Sequence, residues 1–404
     1  MKFIDGGVCA AKGFSASGLH AGIRKNKTKK DLALILSSAP CKAAAVYTQN
    51  LVKGAPLLVT KKHLENGIAQ AIICNSGNAN TCNKDGIEIA EKMCSCLALN
   101  SNIKEDDIVV ASTGVIGQPL PIEPIQNAIP ELVSSLSDSG SIDACNAIMT
   151  TDTKEKEIAL EFLIGGKTCH IGGIAKGSGM IHPNMATMLV FITSDVLISS
   201  EMLQKALSSD VKSTFNMLSI DGDTSTNDMA VILANGLSEN PEITGDGEDF
   251  KTFMKALNTV TVALCRMIAA DGEGVTKMLE CNVCGAKTED DAKTVAKSVV
   301  CSNLLKAAMF GADANWGRVL CAIGYSGADV NIDKIDVAFK SKSGKIDVCK
   351  NGCGIDFSED TAKKILSEDE IEILVGLNDG SANSTAWGCD LTYDYVRING
   401  DYRT

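Results

Sequence analysis

The sequence predicts a layered α+β fold rather than a regular strand–helix–strand array. Strands come in runs with hairpin signals, helices are long and grouped, and several strands end in small-residue loops. From about residue 282 short strands and helices alternate, so a smaller C-terminal α/β lobe is expected there.

The elements follow in order. LALILSS (32–38) and AAAVYT (43–48) are apolar, strand-like pieces, and AQAIICNSGNAN (69–80) is a buried strand entering a polar loop. From Gly86 the helical period places Ile87, Ala90, Cys94 and Leu97 on one stripe, which predicts a helix. IVVASTGVIG (108–117) repeats the strand-then-loop pattern. EIALEFLIGGKTCHIGGIAKG (157–177) alternates cleanly, with Ile158, Leu160, Phe162 and Ile164 on one face; Gly165-Gly166 suits a two-residue hairpin turn. GMIHPNMATMLVFITSD (179–195) then joins a broken loop to the strand MLVFITSD, with Thr187 at the seam. EMLQKALSSDVKSTFNMLS (201–219) reads as helices and residues 250–274 as a long helical stretch. No internal repeat or low-complexity tract is present.

Composition narrows the function. The net charge of −12 disfavours a nucleic-acid or anionic-membrane partner, and 4% aromatics leaves little for base stacking. NKTKK (26–30) reads as a solvated loop. The N-terminus lacks the apolar core of a secretory signal and no run of about 18 apolar residues occurs, so a cytoplasmic chain with reduced thiols is expected. Among sixteen cysteines, Cys281-x-x-Cys284 and Cys349-x-x-x-Cys353 have no accompanying histidine, so buried thiols are the better reading and no metal is expected.

Histidine chemistry has little material. His20, His63, His170 and His182 are the whole set; His63 stands beside two lysines as a surface residue, and His170 alternates within a strand. GGIAKGSGM is glycine-rich but lacks the order of a P-loop. More telling are the loops NSGNAN (75–80), STGVIG (112–117), AKGSGM (175–180), DGDTSTND (221–228) and DGEG (271–274). Their glycines and hydroxyls fit ordinary turns and equally a shared ligand cleft. Thr187 has two readings as well. It is a strand-starting threonine, or a nucleophile whose base is its own α-amine once the chain breaks before it.

KGSGMIHPNMATMLVFITSD (176–195) closely resembles the ornithine acetyltransferase family, the ArgJ-type glutamate N-acetyltransferases of arginine biosynthesis. The resemblance runs through NSGNAN, STGVIG, AIMTTDT (147–153), SIDGDTSTND (219–228), DGEGVTK (271–277), FGADANWGR (310–318), AWGCDLT (386–392) and YVRINGDYRT (395–404). It implies an αββα sandwich with an N-terminal-nucleophile type of site. It also implies self-cleavage at Ala186–Thr187, giving an α chain of 1–186 and a β chain of 187–404 that assemble as a heterotetramer. Thr187 becomes the nucleophile, taking acetyl from N-acetylornithine and passing it to glutamate without a cofactor; bifunctional members also use acetyl-CoA. Thr113 and Gly114 match the oxyanion-hole pair. Thr150, Lys176, Thr187, Glu273, Asn399 and Thr404 match substrate-binding positions. His182 departs from the usual pattern close to the scissile bond. Two other readings stay open beside this one: a self-processed threonine aminopeptidase or amidohydrolase, and a non-catalytic metabolite-binding protein.

Overall fold

A computed structural model describes residues 1–182 and 188–400 of the chain. The alternating segment folds as the sequence predicts: Glu157–Ile164 and Lys167–Lys176 pair antiparallel, and Gly165 and Gly166 turn the chain at φ 54° and 78°. Two successive positive φ values are what a tight hairpin turn with native twist requires, and glycine reaches them without a Cβ clash.

This hairpin belongs to a nine-stranded mixed sheet. The path runs Lys2–Ile4, Glu157–Ile164, Lys167–Lys176, Leu189–Ser194, Met229–Ala234, Leu32–Tyr47, Ile68–Asn75 and Ile108–Ser112. Phe14–Leu19 pairs with Leu32–Tyr47 off that path. The pairs Leu189–Ser194 with Met229–Ala234 and Ile68–Asn75 with Ile108–Ser112 are parallel; the rest are antiparallel.

LALILSS and AAAVYT are not separate strands but the two halves of one, Leu32–Tyr47. Its first half pairs with Phe14–Leu19 and its second with Met229–Ala234; between them the register against Ile68–Asn75 shifts from Leu36 to Cys41. Pro40 sits in that irregular stretch, where a residue without an N–H costs the ladder least.

The second sheet has seven strands in the order Cys353–Gly354, Gly344–Lys350, Asp336–Ser341, Glu370–Gly376, Met278–Ala286, Ala382–Cys389 and Leu218–Ser219. Residue 282 thus lies inside a strand of this sheet. In residues 201–219 only Ser200–Asp210 is α-helical, with Ser199 as its cap; a short 3-10 turn, Phe215–Met217, leads into the Leu218–Ser219 strand.

Glu248–Ala269 joins the two sheets. Its buried stripe, including Phe250, Phe253, Leu257, Val260, Leu264 and Ile268, has helical spacing and packs against both the Glu157–Lys176 hairpin and Ala382–Cys389. Each such side chain contributes roughly 1.5–3 kcal/mol by leaving water. The molecule is therefore a layered α+β sandwich. Among the described residues no helix is long and apolar enough to cross a membrane.

Two smaller expectations change. The helix Gly86–Ser101 buries Ile89, Ala90, Met93, Cys94 and Leu97, while Ile87 is exposed, so the stripe is rotated from the one read off the sequence. His63 is buried, not on the surface: it ends the helix Ala55–His63 against Ile108–Ser112, and its Nδ1–H donates to the Ile108 carbonyl at 2.8 Å. A ring nitrogen satisfied this way loses little on burial.

Candidate active site

The parallel strands Ile68–Asn75 and Ile108–Ser112 end side by side, and two of the small-residue loops begin there. Asn75 organises both. Its Nδ2 donates to Ser112 Oγ at 2.6 Å, its Oδ1 accepts from the Gly77 and Asn78 amides, and its carbonyl accepts from Thr113 N–H at 2.9 Å. Gly114 follows at φ 126°, and a Cβ there would stand 2.9 Å from the Asn78 nitrogen. Only glycine lets these two loops lie so close.

A third loop, 221–228, is stitched to the same corner by Asn227. Its amide donates to the Ala79 and Ser112 carbonyls, and its Oδ1 accepts from the hydroxyls of Thr81 and Thr226. Next to it, Asp228 is buried, and its Oδ2 has no hydrogen-bond partner among the described residues. Burial pushes its carboxyl well above the usual carboxylate range, against the opposing pull of Ser225 and Lys176. A buried acid without a full set of donors favours its neutral form.

The loops around Thr150, Lys176 and Glu273 are joined by buried charge. Lys156, 1% exposed, donates to Asp152 at 2.7 Å and to Asp271 at 2.6 Å. Burial opposes the charge on Lys156, but the two carboxylates outweigh it and hold its pKa above the ordinary lysine value. Asp152 answers in kind: burial raises it, yet Lys176 and Lys156 hold it below the usual carboxylate range. Asp152 also accepts from the Thr150 and Gly177 amides. Ser178 donates its hydroxyl to the Asp271 carbonyl, and Ser178 O accepts from Glu273 N–H. Glu273 in turn accepts from Asn399 Nδ2 at 2.7 Å. Gly179 makes room for it, since a Cβ there would meet the Glu273 carboxyl at 2.4 Å.

These arrangements converge. One cavity of about 110 Å³ is lined by Thr113, Gly114, Thr150, Lys176, Glu273 and Asn399, together with residues of the 221–228 loop. A larger cavity of about 400 Å³, bordered by Arg24, Lys25 and Lys29, shares Gly114, Thr150 and Thr151 with it. Ala186, Thr187 and Thr404 lie outside the described residues. The resemblance picked out no role for Lys156, Asp152, Asp271, Asn227 or Arg24. All but Lys156 and Arg24 lie within loops singled out for other members. Arg24 donates to the Ser76 and Met149 carbonyls and so ties the 20–30 segment to two site loops.

His182, next to the described end of the 175–182 segment, is pushed down to about 4 by burial and by the neighbouring Lys297. It is a neutral ring at pH 7, with Nδ1 3.0 Å from Ser219 Oγ. His170 stays in its strand, paired through Nδ1 with Asp195 at 2.6 Å. Cys281 is buried and Cys284 exposed, three positions apart on one strand, so they do not converge.

The chemistry available in the cavity is threefold. Thr113 and Gly114 bring a hydroxyl and a backbone N–H to the cavity lining; Lys176 offers a cation, and Glu273 an anion held in place by Asn399.

Comparison with known proteins identifies the family of the chain. The ArgJ family model matches residues 15–404. The arginine biosynthesis bifunctional protein ArgJ 1 of Clostridium acetobutylicum is 52% identical over 392 residues, covering 97% of this chain and 96% of that one. ArgJ of Caldanaerobacter subterraneus is 50% identical over 405 residues and covers both chains fully, at 100% each. A crystal structure of argJ from Bacillus halodurans is 48% identical with a TM-score of 0.50, covering 52% of this chain and 97% of the solved one. With near-complete coverage at this identity, the chain belongs to the ArgJ family of arginine-biosynthesis proteins.

Proposed function

We infer that the chain moves the acetyl group of N2-acetylornithine to glutamate, giving ornithine and N-acetylglutamate for arginine biosynthesis. The observation that carries this is the convergence of Thr113, Gly114, Thr150, Lys176, Glu273 and Asn399 on one cavity in a chain of this family. Self-cleavage of the Ala186–Thr187 bond comes first and frees Thr187 as the N-terminal nucleophile. Its α-amine, with an unperturbed pKa of about 7.7–8.0, takes the hydroxyl proton as the oxygen attacks the acetyl carbonyl. The Thr113 hydroxyl and the Gly114 N–H donate to the oxyanion, where the negative charge develops. Collapse breaks the amide C–N bond, the proton passes to the departing nitrogen, and ornithine leaves an acetyl ester on Thr187. The neutral amine of glutamate then attacks that ester, its surplus proton passes through the Thr187 α-amine to the threonine oxygen, and the ester C–O bond breaks to restore the hydroxyl.

Lys176 meets a substrate carboxylate and Glu273 an ammonium group, with Thr150, Asn399 and Thr404 completing the contacts. The scheme needs neither cofactor nor metal. Acetyl-CoA is a second donor to glutamate in this proposal, supported by the word bifunctional in the relatives' names. The α and β chains assemble as a heterotetramer in the cytoplasm; the half-length of the solved Bacillus halodurans chain supports a two-chain protein.

Denaturing mass analysis tests the first step. Two fragments from a break before Thr187 are expected, lost in Thr187→Ala together with acetyl exchange. An intact, active wild type would sink the mechanism. Amide hydrolysis without transfer to glutamate would turn it into an amidohydrolase. Acetylglutamate made from acetyl-CoA without acetylornithine would establish the second donor, and no product would remove it.

A further inference from the structure

Lys156 lines neither of the two site cavities, yet three site loops meet on it. Its ammonium has three protons and three acceptors: Asp152 Oδ1 at 2.7 Å, Asp271 Oδ2 at 2.6 Å and the Lys154 carbonyl at 3.2 Å. It is saturated, so no proton remains for a substrate. Its effect must pass through its two carboxylates. Asp152 holds the Thr150 amide at 3.0 Å and the Gly177 amide, one residue past Lys176, at 2.7 Å. Asp271 accepts from the backbone and hydroxyl of Thr153, and its carbonyl anchors Ser178, whose own carbonyl anchors Glu273.

We propose that Lys156 is a positioning residue that sets the spacing between Lys176 and Glu273, and so selects charged amino-acid substrates of matching span. The inference rests on the acetyl-transfer reading, in which those two side chains meet the substrate's opposite charges. The charges in the network balance: Lys176 and Lys156 are the cations, Asp152 and Asp271 the anions. Removing the Lys156 ammonium leaves two buried carboxylates facing each other without their shared cation. They must separate or take up a proton, and the loops they hold move with them. Displacements of about 1 Å in a positioning group far from the chemistry can cost roughly 100-fold.

The test compares wild type, Lys156→Met and the charge-balanced double variant Asp152→Asn/Lys156→Met. Thermal melts report folding, steady-state acetyl exchange gives KM and kcat for acetylornithine and glutamate, and calorimetry gives ornithine affinity. In Lys156→Met, KM for both substrates is expected to rise roughly 10- to 100-fold with a smaller change in kcat, and ornithine binding to weaken in step. The double variant is expected to regain the melting temperature but not the KM. A double variant that regains both shows a purely structural salt bridge and overturns the proposal, as does an unmoved KM in a folded Lys156→Met. Should Lys156→Met not fold, Asp271→Asn, which keeps the shape and removes a charge, carries the same comparison. A wild type that neither exchanges acetyl nor binds ornithine overturns the functional reading, and this inference with it; a working wild type with unmoved variants overturns the inference alone.

Discussion

Asp228 is a carboxyl group that the fold surrounds without fully satisfying. Its raised folded-state pKa means that the native protein keeps this proton to higher pH than the unfolded chain, whose carboxyl titrates near about 3.9. The sign follows from linkage: stability from this group is fully present below that value and is lost as pH rises towards the folded-state pKa. Asparagine has the same shape and nothing to ionise. Asp228→Asn should therefore gain on wild type as pH increases, and melting temperatures of both proteins at pH 4.5 and pH 8 measure it. An equal difference at the two pH values would refute the assignment. Gly114 and Lys156 mark opposite ends of what a reader of the sequence can find at this scale. Gly114 sits in a conspicuous small-residue loop, and its conformation explains why. Lys156 sits among ordinary charged residues of KEKE, where nothing distinguishes a saturated buried ammonium from its exposed neighbours Lys154 and Glu155.

Elements with a strong period were legible, and those set by distant partners were not. The 157–177 hairpin reads directly because alternation and a Gly-Gly turn are local facts. The long strand Leu32–Tyr47 reads as two pieces in the sequence because serines and Pro40 interrupt its apolar pattern; Ile68–Asn75, which pairs with residues on both sides of that stretch, carries it across. His63 failed for the same reason, since its hydrogen-bond partner lies 45 residues on. Helix Glu248–Ala269 was legible as a helix, but its place between the two sheets depends on tertiary packing. Phe253, fully buried on that helix, tests how much the join matters. Phe253→Ala should cost about 3–5 kcal/mol by leaving a cavity between layers. A urea midpoint shift of under a quarter of that cost would show that the join is looser than the packing indicates.

At the scale of the molecule, the six described site residues come from five separated stretches, and the first sheet and its loops gather most of them. The proposed break at Ala186–Thr187 falls between two neighbouring strands of that sheet. Lys167–Lys176 precedes it, and Leu189–Ser194 and Met229–Ala234 follow it. Met229–Ala234 then pairs with Leu32–Tyr47, back in the N-terminal part. Strands from beyond the break are thus flanked on both sides by strands from before it. Coexpressed as separate polypeptides, 1–186 and 187–404 should form a stable complex, whereas either alone should be insoluble or unfolded. Size-exclusion chromatography and circular dichroism of the three preparations check this, and a soluble, folded lone half would contradict it.

That interleaving also fixes a sequence of events in time. A chain severed while still unfolded would have to find its other half by diffusion, and each half would carry bare strand edges of the kind that promote aggregation. A chain severed after the sheet closes keeps its two pieces hydrogen-bonded along two seams, at an effective concentration no separate molecule can match. The proposed cleavage is therefore expected late, as an act of the finished fold on its own backbone, and newly made chains should then pass through a folded, uncut state long enough to be caught.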